Sequence, residues 1–158
     1  LSEEYVAECI NMQERNLTEL FYGTKTYIEK DRKTFEIHYA MQCTQNSHLY
    51  DGILSMLKEL VSMGVKLSVA TNAPTPFALR MLEHLKVIDM FDMVVGADMV
   101  KYSKPDPQML NMILDYYSFD KNKDKAWVVG DSSKDMLSAK NSHIEAIFAT
   151  WGFSQISS

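Results

Sequence analysis

Cysteine is scarce in this sequence: Cys9 and Cys43 are the two in 158 residues, 34 positions apart. With no CxxC pair and no histidine at zinc spacing, neither a disulfide framework nor a metal knuckle is indicated, and both thiols read as reduced structural residues. Blocks of basic residues are missing too. The net charge of −5 comes from 16 basic and 21 acidic residues spread along the chain, so no stretch could track a phosphate backbone, which argues against nucleic acid as a partner. No apolar run approaches the roughly 20 residues needed to span a bilayer, and the N-terminus lacks the basic-then-apolar pattern of a secretory signal. These absences argue against a membrane partner and predict a cytoplasmic location. There is also no internal repeat and no low-complexity tract.

What remains has ordinary globular composition, 46% apolar and 23% charged, enough for one domain or a domain with a small appendage. Residues 1–47 show helical spacing and no convincing strand. Tyr5, Cys9 and Met12, then Leu17, Leu20 and Phe21, fall three or four apart, Gly23 interrupts them, and Tyr27 to Met41 repeats the pattern with Phe35, His38 and Tyr39. From Asp51 the texture alternates. Asp51 is expected to cap a helix whose apolar face is Ile53, Leu54, Leu57, Leu60 and Val61, with Gly64 as a left-handed stop. Strands are expected at Val65 to Ala70, Met93 to Val95, Ala126 to Val129 and Ala146 to Thr150. Helices are expected between them: one with Thr75 as N-cap and Pro76 at its first position, one starting at Pro107, and one from Asp135 to Asn141. Short apolar strands separated by amphipathic helices predict an α/β fold with a doubly wound parallel sheet, because parallel neighbours need crossover connections.

In such sheets ligands bind beyond the carboxyl ends of the strands. Thr71 and Asn72 follow the first strand, and their hydroxyl and amide, with the helix N-terminus near Thr75, could donate to an anion or simply make a turn. After the second strand come Gly96-Ala97-Asp98 and then Lys104, flanked by Pro105 and Pro107. Two prolines fix the backbone there, so the ammonium is either held at a defined place or left as an exposed lysine in a turn. After the third strand, Gly130-Asp131-Ser132-Ser133-Lys134-Asp135 sets two carboxylates four residues apart. Hard oxygen donors of this kind suit Mg²⁺. The alternative is a helix start, with Asp131 or Ser132 as N-cap and Asp135 favouring the helix dipole. Together the strand ends offer a phosphate cradle, a fixed cation and a magnesium carboxylate pair, which are parts of one phosphoryl-transfer site.

These residues carry a resemblance. Leu67 to Asn72 (LSVATN), Lys104-Pro105 and Val128 to Asp135 (VVGDSSKD) resemble the second, third and fourth motifs of haloacid-dehalogenase-type hydrolases. Tyr50-Asp51-Gly52, His38-Tyr39 and Trp151-Gly152-Phe153 look like the phosphoglycolate phosphatase branch. The resemblance implies a Rossmann-like core over 48–158 and a partial helical cap over 1–47. It implies that Thr71 and Asn72 bind the transferring phosphoryl group, that Lys104 stabilises its charge, and that Asp131 ligates Mg²⁺ with Asp135 assisting. The implied reaction is hydrolysis of a small phosphomonoester, phosphoglycolate or a sugar phosphate, through an aspartyl-phosphate. A phosphomutase or dehalogenase on the same scaffold, or a non-catalytic phosphate- or partner-binding module, are the alternatives. The family's first motif, Asp-x-Asp-Gly-Thr on the first core strand, has no counterpart: the 158 residues contain no Asp-x-Asp. That strand is therefore expected to lie before Leu1 in a longer chain or to be complemented by a strand from another chain; a homo-oligomer is the other partner expectation, and the 158 residues alone are expected to be inactive.

Overall fold

A computed structural model describes residues 29–152. The expected helical spacing from Tyr5 to Phe21, the break at Gly23 and Phe153 fall outside the described residues, as does most of the expected cap. The helices and strands run α1 (Glu29–Gln42), α2 (Ile53–Ser62), β1 (Ser68–Ala70), α3 (Thr75–His84), β2 (Met93–Val95), α4 (Gln108–Tyr116), β3 (Trp127–Gly130), α5 (Ser133–Asn141) and β4 (Glu145–Phe148). Single 3-10 turns lie at Ile88–Met90 and Ala97–Met99. None of the described helices is long and apolar enough to cross a membrane.

The described residues fall into two compact units. The first comprises 35–103 and 108–119; the second comprises 29–34, 104–107 and 120–152.

In the first unit β1 and β2 pair in parallel, with Ser68 opposite Met93, Val69 opposite Val94 and Ala70 opposite Val95. Each strand is three residues long, so the expected strand from Val65 is shorter than its apolar run. α4 packs on both strands and α3 on β2. Their apolar faces supply the core, in which Val87, Val95 and Met109 are fully buried beside Leu57, Ala78 and Leu110. α2 starts one residue later than expected, with Gly52 rather than Asp51 in the N-cap position. It ends as expected. Gly64 takes φ +77°, and the N–H groups of Gly64 and Val65 donate to Val61 O and Leu60 O, the paired bonds of a Schellman stop.

The same stop closes α3, α4 and α5 without glycine. Lys86, Ser118 and His143 occupy the left-handed position, at φ of 58°, 53° and 57°. The following Val87, Phe119 and Ile144 N–H groups reach back to Leu82 O, Leu114 O and Ala139 O. Beyond α4, Tyr117 Oη lies 2.7 Å from Ser68 Oγ and donates to Asp92 Oδ2 at 3.0 Å, fastening the end of the helix to the entry of the strand pair.

In the second unit β3 and β4 are also parallel, with Val128 opposite Ala146 and Val129 opposite Ile147. α5 packs on both strands through the fully buried Ser138 and Ala139. The connection β3 to α5 to β4 is a complete crossover unit, as β1 to α3 to β2 is in the first. The architecture is thus α/β with parallel strands, the class that the alternating pattern predicts.

Candidate functional site

The strand β3 delivers Asp131 at its carboxyl tip, and the next residue opens α5. Ser132 is the N-cap: its Oγ accepts from Asp135 N–H at 3.3 Å, while Asp135 Oδ2 accepts from Ser132 N–H at 3.1 Å and from Ser132 Oγ–H at 2.6 Å. This reciprocal capping box satisfies donors that a helix start otherwise leaves open. Of the two sequence-based alternatives for the cap, Ser132 is the one realised. The helix consequently begins at Ser133, two residues before the position expected from the apolar pattern.

The box also presses Asp135 onto the strand. A Cβ added at Gly130 would stand 2.5 Å from Asp135 Cβ and Cγ, so no larger residue fits at that point of β3. Asp135 is buried.

Its charge is answered by Lys104. Lys104 Nζ donates to Asp135 Oδ1 at 2.6 Å, a charge-assisted bond of the short, strong kind. The lysine is held by its loop, in which the Lys104-Pro105 peptide is cis and Pro105 O accepts from Asn141 Nδ2 at 3.1 Å. Burial pushes the Asp135 carboxyl up, yet the neighbouring Lys104 charge and the bonds from Lys104 and Ser132 outweigh it and hold the carboxyl below the usual carboxylate range. The Lys104 ammonium is therefore no surface group in a proline turn. It is a partly buried cation at a fixed place.

Asp131 and Asp135 present only carboxylate oxygens, hard donors of the kind that Mg²⁺ takes. Among the described residues no three His, Cys, Asp or Glu side chains gather as a metal cluster, and a site with one or two protein carboxylates and retained waters is the pattern of Mg²⁺. Glycine backs both carboxylates, Gly130 against Asp135 and Gly152 against Asp131. Asp135 already accepts three hydrogen bonds, which leaves about one of its roughly four acceptor sites. The donor set thus fits the ion in its chemistry, carboxylate oxygens of which Asp135 has about one acceptor site left.

Thr71 and Asn72 belong to the first unit and stand at the carboxyl end of β1. Thr71 N–H donates to Val95 O at 2.9 Å, extending the parallel ladder one step, and Thr71 Oγ1 accepts from Ala73 N–H at 3.1 Å. Asn72 is exposed. The nearby helix N-terminus differs from expectation. Pro74, not Thr75, holds the N-cap position, and the acceptor comes from elsewhere in the chain. Asp98 Oδ1 receives Thr75 N–H at 2.5 Å and Thr75 Oγ–H at 2.8 Å, while Thr75 Oγ1 accepts from Gly96 N–H at 3.1 Å. The bond from the Thr75 backbone is the main reason the Asp98 carboxyl lies below its ordinary range. The positive end of α3 is thus already met by an internal carboxylate, and the expected anion site reduces to Thr71 and Asn72. No local pattern could have found Asp98 as the cap, because it lies 23 residues from Thr75.

The second unit therefore pairs Lys104 with Asp135 and carries Asp131 at the tip of β3, and the first carries Thr71 and Asn72 at a strand tip. Known proteins are similar to this sequence. The chain is 36% identical over 121 residues to phosphoglycolate phosphatase of Rhodospirillum rubrum, covering 77% of this chain and 49% of that protein. It is 33% identical over 122 residues to the phosphoglycolate phosphatase of Vibrio cholerae, covering 77% and 53%. The chain thus spans about half the length of the curated relatives it matches. A crystal structure from Lactobacillus delbrueckii subsp. bulgaricus, of a protein assigned as a phosphoglycolate phosphatase, superposes with a TM-score of 0.72 at 28% identity, covering 95% of this chain and 66% of that one. The sequence model described as haloacid dehalogenase-like hydrolase matches residues 1–149, a span that takes in the strand ends and every candidate site residue, and the chain belongs to that family.

Proposed function

We propose that the protein containing this chain is a Mg²⁺-dependent phosphatase acting on a small phosphomonoester, phosphoglycolate or a sugar phosphate. The observation that carries the reading is the buried pairing of Lys104 with Asp135, in the same strand-to-helix segment that carries Asp131 at the tip of β3. A phosphoryl group in transfer spreads negative charge over its oxygens, so catalysis is mainly positioning and electrostatic stabilisation. Lys104 supplies a cation whose place is fixed before substrate arrives. Thr71 and Asn72 supply a hydroxyl and an amide for the phosphoryl oxygens. Asp131 holds Mg²⁺, and Asp135 supports it while orienting Lys104. The ion, when bound, neutralises charge on the phosphoryl oxygens.

The reaction proposed from the family resemblance runs through an aspartyl-phosphate. A carboxylate attacks phosphorus as the ester P–O bond breaks, and the alcohol leaves with a proton from a general acid. Water then cleaves the acyl phosphate to release phosphate and restore the carboxylate. The sequence holds no Asp-x-Asp pair to act as nucleophile and general acid, so the 158 residues by themselves are proposed to bind and orient without turnover. The experiment compares phosphate release from phosphoglycolate by the 158-residue chain with release by a polypeptide extended through the coding sequence upstream of Leu1. Activity confined to the extended form supports the reading; equal activity in both would overturn it.

A further inference from the structure

The turn after β4 bears directly on Asp131. Ala149 N–H donates to Gly130 O at 2.8 Å, tying the start of the turn to the residue before Asp131. Gly152 N–H donates back to Ala149 O at 3.1 Å, which folds the chain over. A Cβ added at Gly152 would come within 3.0 Å of Asp131 Cβ, Cγ and Oδ2 at once, closer than real Cβ atoms come to their neighbours. Conformational freedom is not the reason for this glycine: Gly52 and Gly64 are the glycines with positive φ among the described residues. The reason is contact.

We propose that Gly152 is a positioning residue for Asp131, its bare backbone closing on the carboxylate and fixing the direction in which that carboxylate presents its oxygens. The inference rests on the reading that Asp131 ligates a divalent cation. A carboxylate at the tip of a strand has two side-chain torsions to lose on binding. A backbone wall on one side removes part of that freedom in advance, and a ligand held in its productive rotamer binds metal more tightly. Supporting contacts to metal ligands are worth about 10- to 100-fold in metal affinity. Side chains as small as a methyl group at residue 152 would therefore turn the carboxylate away.

The test titrates Mn²⁺ against the wild-type protein, Asp131→Asn and Gly152→Ala, reading free Mn²⁺ by electron paramagnetic resonance, with metal-free melting followed separately. The expected result is weaker Mn²⁺ binding in both variants, by about tenfold or more in folded Gly152→Ala. A glycine with only a structural role in the turn would lower the melting temperature and leave Mn²⁺ affinity alone, and that result overturns the proposal. If Asp131→Asn binds Mn²⁺ like wild type, the metal assignment itself fails. If Asp131→Asn is impaired and folded Gly152→Ala is not, only the positioning role fails. Should Gly152→Ala not fold, the exchange Asp131→Gly with Gly152→Ala returns space to the same spot. Recovery of folding in the exchange supports the contact, and continued failure to fold overturns it.

Discussion

Lys104 Nζ lies 2.6 Å from Asp135 Oδ1, and the two side chains are only 12% and 10% exposed. A lysine from a proline-flanked loop and a carboxylate from the first turn of α5, 31 positions apart in sequence, are thus one buried ion pair. Each has lost most of its hydration, so each depends on the other and on Ser132 for its compensation.

Removing one partner should cost more than removing both. Lys104→Met leaves Asp135 charged, buried and held by Ser132 alone, and is expected to lower stability by about 3–5 kcal/mol. Adding Asp135→Asn should recover part of that loss, because the stranded charge is gone. Urea unfolding of the two single variants and the double variant measures the coupling. Additive losses would show that the pair carries no interaction.

Acid should attack the same pair. The Asp135 carboxyl is held below its ordinary range in the folded protein, so its contribution to stability is complete above the unfolded-state value of about 3.9. That contribution is lost as pH falls from there through the lower folded-state value. Stability measured from pH 7 to pH 2 should therefore fall more steeply in wild type than in Asp135→Asn. Parallel acid limbs in the two proteins would contradict the assignment.

The left-handed helix stops offer a gain. Ser118 sits exposed at φ 53°, a conformation that costs a residue with a Cβ about 1–2 kcal/mol. Glycine removes that strain and gives back roughly 0.5–1 kcal/mol in unfolded-chain entropy, so Ser118→Gly is expected to stabilise by about 0.5–1 kcal/mol. A higher urea midpoint with unchanged slope is the readout, and a lower midpoint would refute it.

Much of this fold is legible in the sequence where local pattern decides. Met93–Val95 is the strand its apolar run predicts, and Gly64 is the stop its φ demands. Two of the misreadings share one physical cause, which is distance along the chain. Val65 to Leu67 read as strand, but pairing begins only at Ser68, where β2 provides a partner. Thr75 read as its own helix cap, whereas the acceptor is Asp98. Lys86, Ser118 and His143 carry no glycine to mark a helix stop, yet each takes the left-handed turn and its bonds back to the preceding helix. The site followed the same division. Strand-end position singled out Lys104, Asp131 and Asp135, while the bond joining Lys104 to Asp135 and the contact of Gly152 with Asp131 are long-range facts that no spacing encodes.

Replacing Lys104 in the polypeptide extended upstream of Leu1, for which activity is proposed, tests the central claim, that this lysine is a pre-positioned cation for phosphoryl transfer. Steady-state phosphate release from phosphoglycolate by folded Lys104→Met should show kcat lower by about 10²- to 10³-fold, the usual effect of deleting one charge-stabilising donor. A folded variant that keeps wild-type kcat would contradict the account.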